Sequence, residues 1–256
     1  MTGGETISDD LAGRLPGAFI VFDGPDGSGK STQLTRFLDA VGRWGGGADG
    51  IEVECVREPG GTWVGEEIRE VLLHKKDHAG DGRIAIETEM LLFMASRAEL
   101  CRRRIAPARD AGRLVVADRF VSSTLAYQGS AGGILRERIL DVARVACGEP
   151  SGGGDQLGSS WPDLTLIFDV STGVAAERLH GSKKAFDEAG LFGDNMESRG
   201  RAFFEAVRDG YREQAALEPN RYAVIDASRT EDEVAADVLR TLDERLAPAA
   251  TRERDD

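Results

Sequence analysis

Short, continuous apolar runs alternate along the chain with longer segments whose apolar residues recur every three or four positions. Five of these runs, at 18–22, 51–56, 114–117, 164–170 and 222–225, predict β-strands. Helices cover both faces of a parallel sheet, so its strands are apolar throughout rather than on alternate residues. The pattern therefore favours strands that are buried inside a parallel sheet.

The segments between these runs have helical periodicity. Leu34, Phe37, Leu38 and Val41, for example, share one face of a helix. The predicted helices span 31–41, 65–73, 87–105, 134–146, 173–179 and 231–246. Alternating strands and helices are typical of an α/β fold in which right-handed crossovers connect parallel strands. We expect a three-layer fold with a five-stranded parallel sheet flanked by helices.

The chain divides into one predicted domain and two flexible ends. Residues 1–16 are expected to form a flexible leader, 17–246 a single domain, and 247–256 a flexible tail. A Gly/Ser-rich insertion at about 151–160 is too polar to contribute to a core and is expected on the surface.

The charge balance narrows the possible partners. With 32 Lys and Arg against 45 Asp and Glu, the net charge is −13, which argues against a general nucleic-acid-binding surface. It leaves room for a small anion held by a local cationic cluster. The sequence has no apolar run of about 18 residues and begins with an acidic, polar segment, so we expect neither a membrane span nor a signal peptide. Three scattered cysteines favour reduced thiols in the cytoplasm.

A phosphate-binding motif lies between the first strand and the first helix. The stretch 24–31, GPDGSGKS, fits G-x-x-x-x-G-K-[ST] in the context that this motif requires. Glycines let backbone N–H groups surround phosphates, and the helix N-terminus adds the positive end of its dipole. Lys30 supplies a cation for the β- and γ-phosphates, and Ser31 a hydroxyl for Mg²⁺. The predicted ATP-binding residues are Gly24, Pro25, Asp26, Gly27, Ser28, Gly29, Lys30, Ser31 and Thr32.

Three further segments place charged or aromatic residues near this loop. Arg57 follows the second strand and the pair Asp118-Arg119 ends the third, and ligands of parallel α/β sheets lie beyond the carboxyl ends of strands. Phe93 and Arg97 are four residues apart, so they share a helix face that could stack on a base and donate to a carbonyl. Each residue alone could equally be a surface ion-pair partner or part of the core.

Together these stretches give a chain that resembles bacterial thymidylate kinases, which have the P-loop kinase fold with a small lid. The resemblance covers about 18–246. It rests on the stretches FDGPDGSGKST at 22–32, REPGGT at 57–62, LLF through Arg97 at 91–97, DRF through AYQG at 118–129, PDLT at 162–165, VRDGY at 207–211 and VIDA at 224–227.

The resemblance implies that the chain phosphorylates dTMP to dTDP with ATP and Mg²⁺, a step of dTTP synthesis. Phe93 would stack on thymine, Arg97 would bind a thymine carbonyl, Thr124 would face the base, and Tyr127 would lie against the sugar. The resemblance also implies a homodimer, with 87–105 as a candidate interface element, whose partners are the small molecules ATP and dTMP rather than nucleic acid or a membrane.

The family's charged residues map onto the phosphates and the metal. Arg57 and Arg119 would hold the dTMP phosphate, and Asp26 would contact the acceptor sugar or the magnesium shell. Ser31 and Asp118 would position the metal. The catalytic set expected from the resemblance is Lys30, Asp26, Arg119, Lys183 and Lys184.

The chain departs from the family at several positions. Asp23 and Phe120 replace the usual Glu and Tyr, and Gly27 stands where one class of the family has a phosphate-loop arginine. A chain without that arginine should draw its cation from the lid, expected at about 179–197 with an insertion at 185–193. Asn195 replaces one lid arginine. The candidate lid cations are Arg178, Lys183, Lys184 and Arg199.

Two other classes of protein share the phosphate loop. A related kinase could act on dUMP, a deoxynucleoside or an antibiotic hydroxyl. A nucleotide-switch protein would hydrolyse its nucleotide slowly and bind a partner in one nucleotide state. The set Phe93, Arg97, Thr124 and Tyr127 favours dTMP, and a substrate panel distinguishes all three.

The lid assignment gives the first testable prediction. Because a mobile lid cation acts mainly in the transition state, Lys183→Ala combined with Lys184→Ala should lower kcat with little change in either KM. Steady-state kinetics beside Arg199→Ala, for which we expect a smaller effect, checks this. An unchanged kcat in the double variant, with a loss in Arg178→Ala or Arg199→Ala, would show that the lid alignment is wrong.

Overall fold

The computed structural model describes residues 6–44, 50–73, 84–149, 160–181 and 200–247. In these ranges five strands form one sheet in the order β2-β3-β1-β4-β5, with every neighbouring pair parallel. The strands are β1 Phe19–Asp23, β2 Val53–Arg57, β3 Leu114–Asp118, β4 Leu164–Asp169 and β5 Tyr222–Asp226. The predicted α/β fold is confirmed, and each strand lies within two residues of its predicted bounds.

Helices cover both faces of this sheet. They are α1 Asp9–Arg14, α2 Lys30–Arg43, α3 Trp63–Leu73, α4 Ile86–Leu100, α5 Ala106–Asp110, α6 Val121–Thr124, α7 Arg136–Cys147, α8 Thr172–Gly181, α9 Arg201–Leu217 and α10 Glu231–Arg245. Two π-helical turns, Cys101–Ile105 and Leu125–Ser130, follow α4 and α6.

The longest predicted helix, at 87–105, is interrupted in the structure. Its α-helical part ends at Leu100, and the π-helical turn then leads into α5. Pro107 has no backbone N–H, so it cannot donate to the carbonyl four residues earlier, and α-helical bonding cannot continue unbroken through this point. The helical spacing of apolar residues continues through this break, because that spacing does not show which backbone N–H groups can donate hydrogen bonds.

The core has two main layers, one on each face of the sheet. Ile20 and Phe22 of β1 point into the layer formed with α1, α2 and α10. Phe19 and Val21 point into the layer formed with α4, α5 and α7. Successive residues of a strand face opposite sides, so β1 is buried along its whole length by both layers. This central position fixes the start of the phosphate loop directly after Asp23.

The N-terminal segment differs from the expected flexible leader. Ser8 caps α1 by accepting a hydrogen bond from the Leu11 backbone N–H at 3.0 Å. Ile7, Leu11 and Leu15 are buried in the core. Arg14 ties the helix to α10 by donating to the side chain of Asp243 at 2.7 Å. The four-residue spacing of these three apolar residues is the signal that identifies the segment as a packed helix.

Several predictions concern residues outside the described ranges. They are residues 151–159 of the Gly/Ser-rich insertion, most of the lid with Lys183, Lys184, Asn195 and Arg199, and the tail from residue 248. Ser160, the last residue of that predicted surface insertion, is described and is fully buried. Within the described ranges, no helix combines the length and apolar character that crossing a membrane requires.

The packing of α1 predicts a measurable contribution to stability. Leu11→Ala removes a side chain that is 1% exposed, so it should lower the free energy of unfolding by about 2–5 kcal/mol. Urea denaturation measures this change. The control is Leu217→Ala, because Leu217 is 58% exposed and its loss should cost far less. Equal effects of the two substitutions would show that α1 does not form part of the core.

Candidate active site

The phosphate loop runs from the end of β1 to the start of α2, as its motif predicts. Gly27 and Gly29 have φ angles of +77° and +86°, which favour glycine. A Cβ on Gly27 would also lie 2.4 Å from the backbone oxygen of Ala175 in α8. A side chain at position 27 would therefore require this part of α8 to move, which agrees with the absence of a phosphate-loop arginine in this chain.

The first residues of α2 lie close to the other residues that are predicted to bind phosphate and metal. Lys30 is buried, and its Nζ lies 3.7 Å from Asp26 Oδ1. Ser31 Oγ donates to Asp118 Oδ2 at 3.1 Å. Because β1 and β3 are parallel neighbours with Phe22 opposite Asp118, the end of β3 necessarily lies beside the loop.

Arg119 connects the end of β3 to the phosphate loop and to the residues beneath it. It follows β3 with φ +72°, a left-handed backbone that is rare for a residue other than glycine. Its guanidinium donates to Asp26 Oδ1 at 2.5 Å, to Gly24 O at 3.2 Å and to Ser123 Oγ at 3.0 Å. Burial opposes the charge, but the carboxylates, Asp26 above all, outweigh it and raise the pKa of Arg119. The side chain is therefore a permanent buried cation.

Asp23 forms a second set of buried contacts beneath the loop. Its carboxylate accepts hydrogen bonds from Tyr211 Oη at 2.7 Å, Ser122 Oγ at 2.5 Å, Ser123 Oγ at 2.7 Å and the Gly24 N–H at 2.8 Å. These contacts link β1, α6 and α9. Sequence reasoning did not place Asp23 or Tyr211 in the site. The sequence feature that could have identified Asp23 is a carboxylate at the end of an all-apolar strand. A carboxylate that is buried in this way requires several hydrogen-bond donors.

The predicted base-binding residues also meet in the structure. Arg97 is 1% exposed and donates through Nη2 to Thr124 Oγ1 at 3.1 Å. Phe93 packs in one buried cluster with Tyr127. Tyr127 Oη lies 3.4 Å from Asp26 Oδ2, which joins this pocket to the phosphate loop.

Sequence reasoning missed the partner that holds Arg97. Glu58 accepts from Arg97 Nε at 2.9 Å and from Nη2 at 2.6 Å, and both side chains are almost fully buried. The Phe120 ring lies 5.2 Å from the guanidinium carbon on another side. Burial raises the pKa of Glu58, and the charge of Arg97 only partly offsets this. This pair fixes the orientation of Arg97, and spacing alone could not find it because 39 residues separate the partners.

Arg57 is the exception among the predicted dTMP-binding residues. Its side chain is 58% exposed and pairs with Glu66 at 3.3 Å, on the far side of β3 from the loop. The structure does not bring it into contact with Arg119.

Of the candidate lid cations, Arg178 is the one within the described ranges. It lies beside the loop, where Nη1 donates to Ser28 O at 3.4 Å and Nη2 to Ala227 O at 2.9 Å.

This geometry defines a class of protein. The site combines a strand, a phosphate loop with Lys and Ser at a helix N-terminus, a facing carboxylate, and an adjoining buried pocket with an oriented arginine. These features together describe a P-loop kinase that acts on a small second substrate.

Comparison with known proteins identifies the family. The family model "Thymidylate kinase" matches residues 22–238. Relatives named thymidylate kinase include one from Cupriavidus necator, 42% identical over 84% of this chain and 93% of the relative, and one from Symbiobacterium thermophilum, 39% identical over 89% and 94%. A crystal structure of thymidylate kinase from Ehrlichia chaffeensis is similar with a TM-score of 0.62 and 28% identity, covering 89% of this chain and 98% of that one.

The chain therefore belongs to the thymidylate kinase family. This confirms the expected activity, the ATP-dependent phosphorylation of dTMP for dTTP synthesis. It also confirms the expected fold.

The Arg97–Glu58 pair predicts a large change in stability. Glu58→Gln leaves a buried guanidinium without its counter-charge, so it should lower the free energy of unfolding by about 3–5 kcal/mol. Urea denaturation gives the value. Glu66→Gln is the matched control, since the Arg57–Glu66 pair is exposed and should contribute about 0–1 kcal/mol. Similar losses in both variants would contradict a special role for the buried pair.

Proposed function

We propose that one buried network of side chains carries out dTMP phosphorylation. One part of this network binds the phosphoryl donor, and the other part binds the acceptor. The supporting observation is the contact chain from Lys30 through Asp26 to Arg119 and Tyr127, which connects the phosphate loop to the base pocket. A donor nucleotide on the loop and an acceptor in the pocket would thus meet at Arg119. A fixed distance between the two substrates supplies much of the rate, because placement converts a bimolecular step into an effectively unimolecular one.

On the donor side, the loop N–H groups and Lys30 would hold the ATP phosphates. Mg²⁺ fits the adjacent residues, because Asp118 Oδ1 is buried without a hydrogen-bond partner in the described part of the chain, and Oδ2 already faces Ser31. Among the described residues no group of three or more His, Cys, Asp or Glu side chains gathers for a metal. This agrees with an ion that takes its remaining ligands from phosphates and water. When bound, Mg²⁺ would neutralise developing phosphate charge.

On the acceptor side, Phe93 would stack on thymine while Arg97 and Thr124 face its polar edge. Tyr127 would lie against the sugar, close to Asp26. Arg119 would hold the acceptor phosphate, since its buried guanidinium remains charged. Arg57 would reach this phosphate only after it leaves Glu66, a change that an exposed pair permits at little cost.

The transfer itself needs no general base. The dTMP phosphate has a second pKa of about 6, so it is already ionised at neutral pH. One of its oxygens forms a bond to the γ-phosphorus while the bond from that phosphorus to the bridging oxygen breaks, and ADP leaves. Lys30 and Arg119, with a lid cation, would stabilise the charge that is shared among the oxygens in the transition state.

We further propose a homodimer that acts in the cytoplasm. Trp63, Val71 and Leu91 are 78%, 56% and 54% exposed, and they lie on α3 and α4, two helices that pack together. Exposed apolar side chains on two adjacent helices favour burial against a second copy. Cys55, Cys101 and Cys147 are free thiols, in agreement with a reducing compartment.

A coupled ADP-release assay tests the proposed roles. With Mg²⁺ and ATP, the wild type should prefer dTMP to dUMP, dCMP, dGMP and AMP. Lys30→Ala should lower kcat by roughly 10²–10³-fold, because it removes a buried charge aimed at the phosphates. Arg36→Ala is the control. It removes a cation from the same helix, but one that pairs with Asp232 away from the loop, so it should leave kcat nearly unchanged. Wild-type turnover in Lys30→Ala would exclude the assignment.

A further inference from the structure

A cavity outside the active site takes no part in the proposed mechanism. Its volume is about 220 Å³. It is bounded by α7 and by the first residues of β4 and β5, with Phe120 and Ser122 among its lining residues. We name it the back cavity.

The back cavity is lined by more cationic than anionic side chains, in a chain that is acidic overall. Three arginines and one glutamate line it, whereas the whole chain carries a net charge of −13. Arg136 Nη2 pairs with Glu218, but its Nε is buried and has no hydrogen-bond partner in the described ranges. Arg144 pairs with Asp141 at 2.6 Å and with Glu149 at 4.0 Å. Arg221 is exposed and forms no ion pair with any residue that the structure describes. The cavity therefore has donors that an anion would satisfy.

Aromatic side chains form another part of the cavity wall. Trp161 and Tyr222 line it together with Phe120. The Trp161 indole N–H donates to Gly148 O at 2.8 Å, which holds the ring in place. Burial raises the pKa of the Tyr222 hydroxyl, so this group stays protonated and can donate to a ligand. Fixed rings beside guanidinium donors suit a planar acid.

The volume limits the size of the ligand. The cavity volume of about 220 Å³ is below the 300–1,000 Å³ typical of sites for drug-sized ligands. We propose that the back cavity is a second binding site, for a small anion that carries one aromatic ring. Its charge would pair with Arg221 and the Arg136 Nε, and its ring would pack between Trp161 and Tyr222.

Titration of the full chain with benzoate tests this proposal. The readout is the ¹H–¹⁵N signal of the Trp161 indole, which Trp161→Phe identifies among the three tryptophans. Benzoate should shift this signal saturably, also with dTMP and ATP present at saturation. Acetate, which has no ring, and benzyl alcohol, which has no charge, should each bind at least tenfold more weakly. No shift with benzoate, displacement by the nucleotides, or equal binding of acetate or benzyl alcohol would overturn the proposal.

A pair of arginine variants locates the binding. Arg221→Gln should weaken benzoate binding at least fivefold, because it removes the cation that has no protein partner. Arg212→Gln is the matched control, since Arg212 is an exposed arginine on α9 that does not line the cavity. It should leave the benzoate Kd unchanged. Equal Kd values for the wild type and Arg221→Gln would overturn the site, and equal weakening in both variants would show nonspecific attraction instead.

Discussion

The buried ion pair between Arg119 and Asp26 is the contact on which the rest of the site depends. Two carboxylates, Asp23 and Asp26, lie out of water at the start of the phosphate loop, and each would be costly without a cation or several donors. Arg119 lies beside both, and its left-handed backbone turns the guanidinium back toward the loop. The loop, the end of β3 and the neighbouring Tyr127 are thereby held as one unit.

Much of this arrangement could be predicted from local sequence. The edge strands β2 and β5 are only partly buried, contrary to the prediction that every strand is buried inside the sheet, but continuous apolar runs marked all five strands within two residues of their bounds. The phosphate loop follows directly from such a strand, and parallel pairing then brings Ser31 and Asp118 to the same edge. The meeting of Arg97 with Thr124 followed from the family resemblance, and the structure places the two side chains in contact.

The remaining features depend on partners that are distant along the chain. Glu58 and Arg97 are 39 residues apart, and Tyr211 is 188 residues from Asp23, so no periodicity indicates these pairs. For Arg57 the ligand contact stays a prediction. Its position at a strand end suggested that contact, and in the structure its exposed side chain pairs with a glutamate nine residues away. The order of the strands in the sheet decides which residues at the strand ends can contact one another. The local spacing of residues along a single sequence does not determine that order.

The close approach of Gly27 to α8 restricts how this enzyme can diverge. Some members of its family carry an arginine at the Gly27 position, but here a new Cβ would overlap the Ala175 carbonyl. The single substitution Gly27→Arg would therefore disrupt this contact with α8, even if the added charge stabilised the transition state. A lineage that moves its cation from the lid to the loop must first displace α8. The order of mutations along that path is thus fixed by backbone sterics before selection on activity can act.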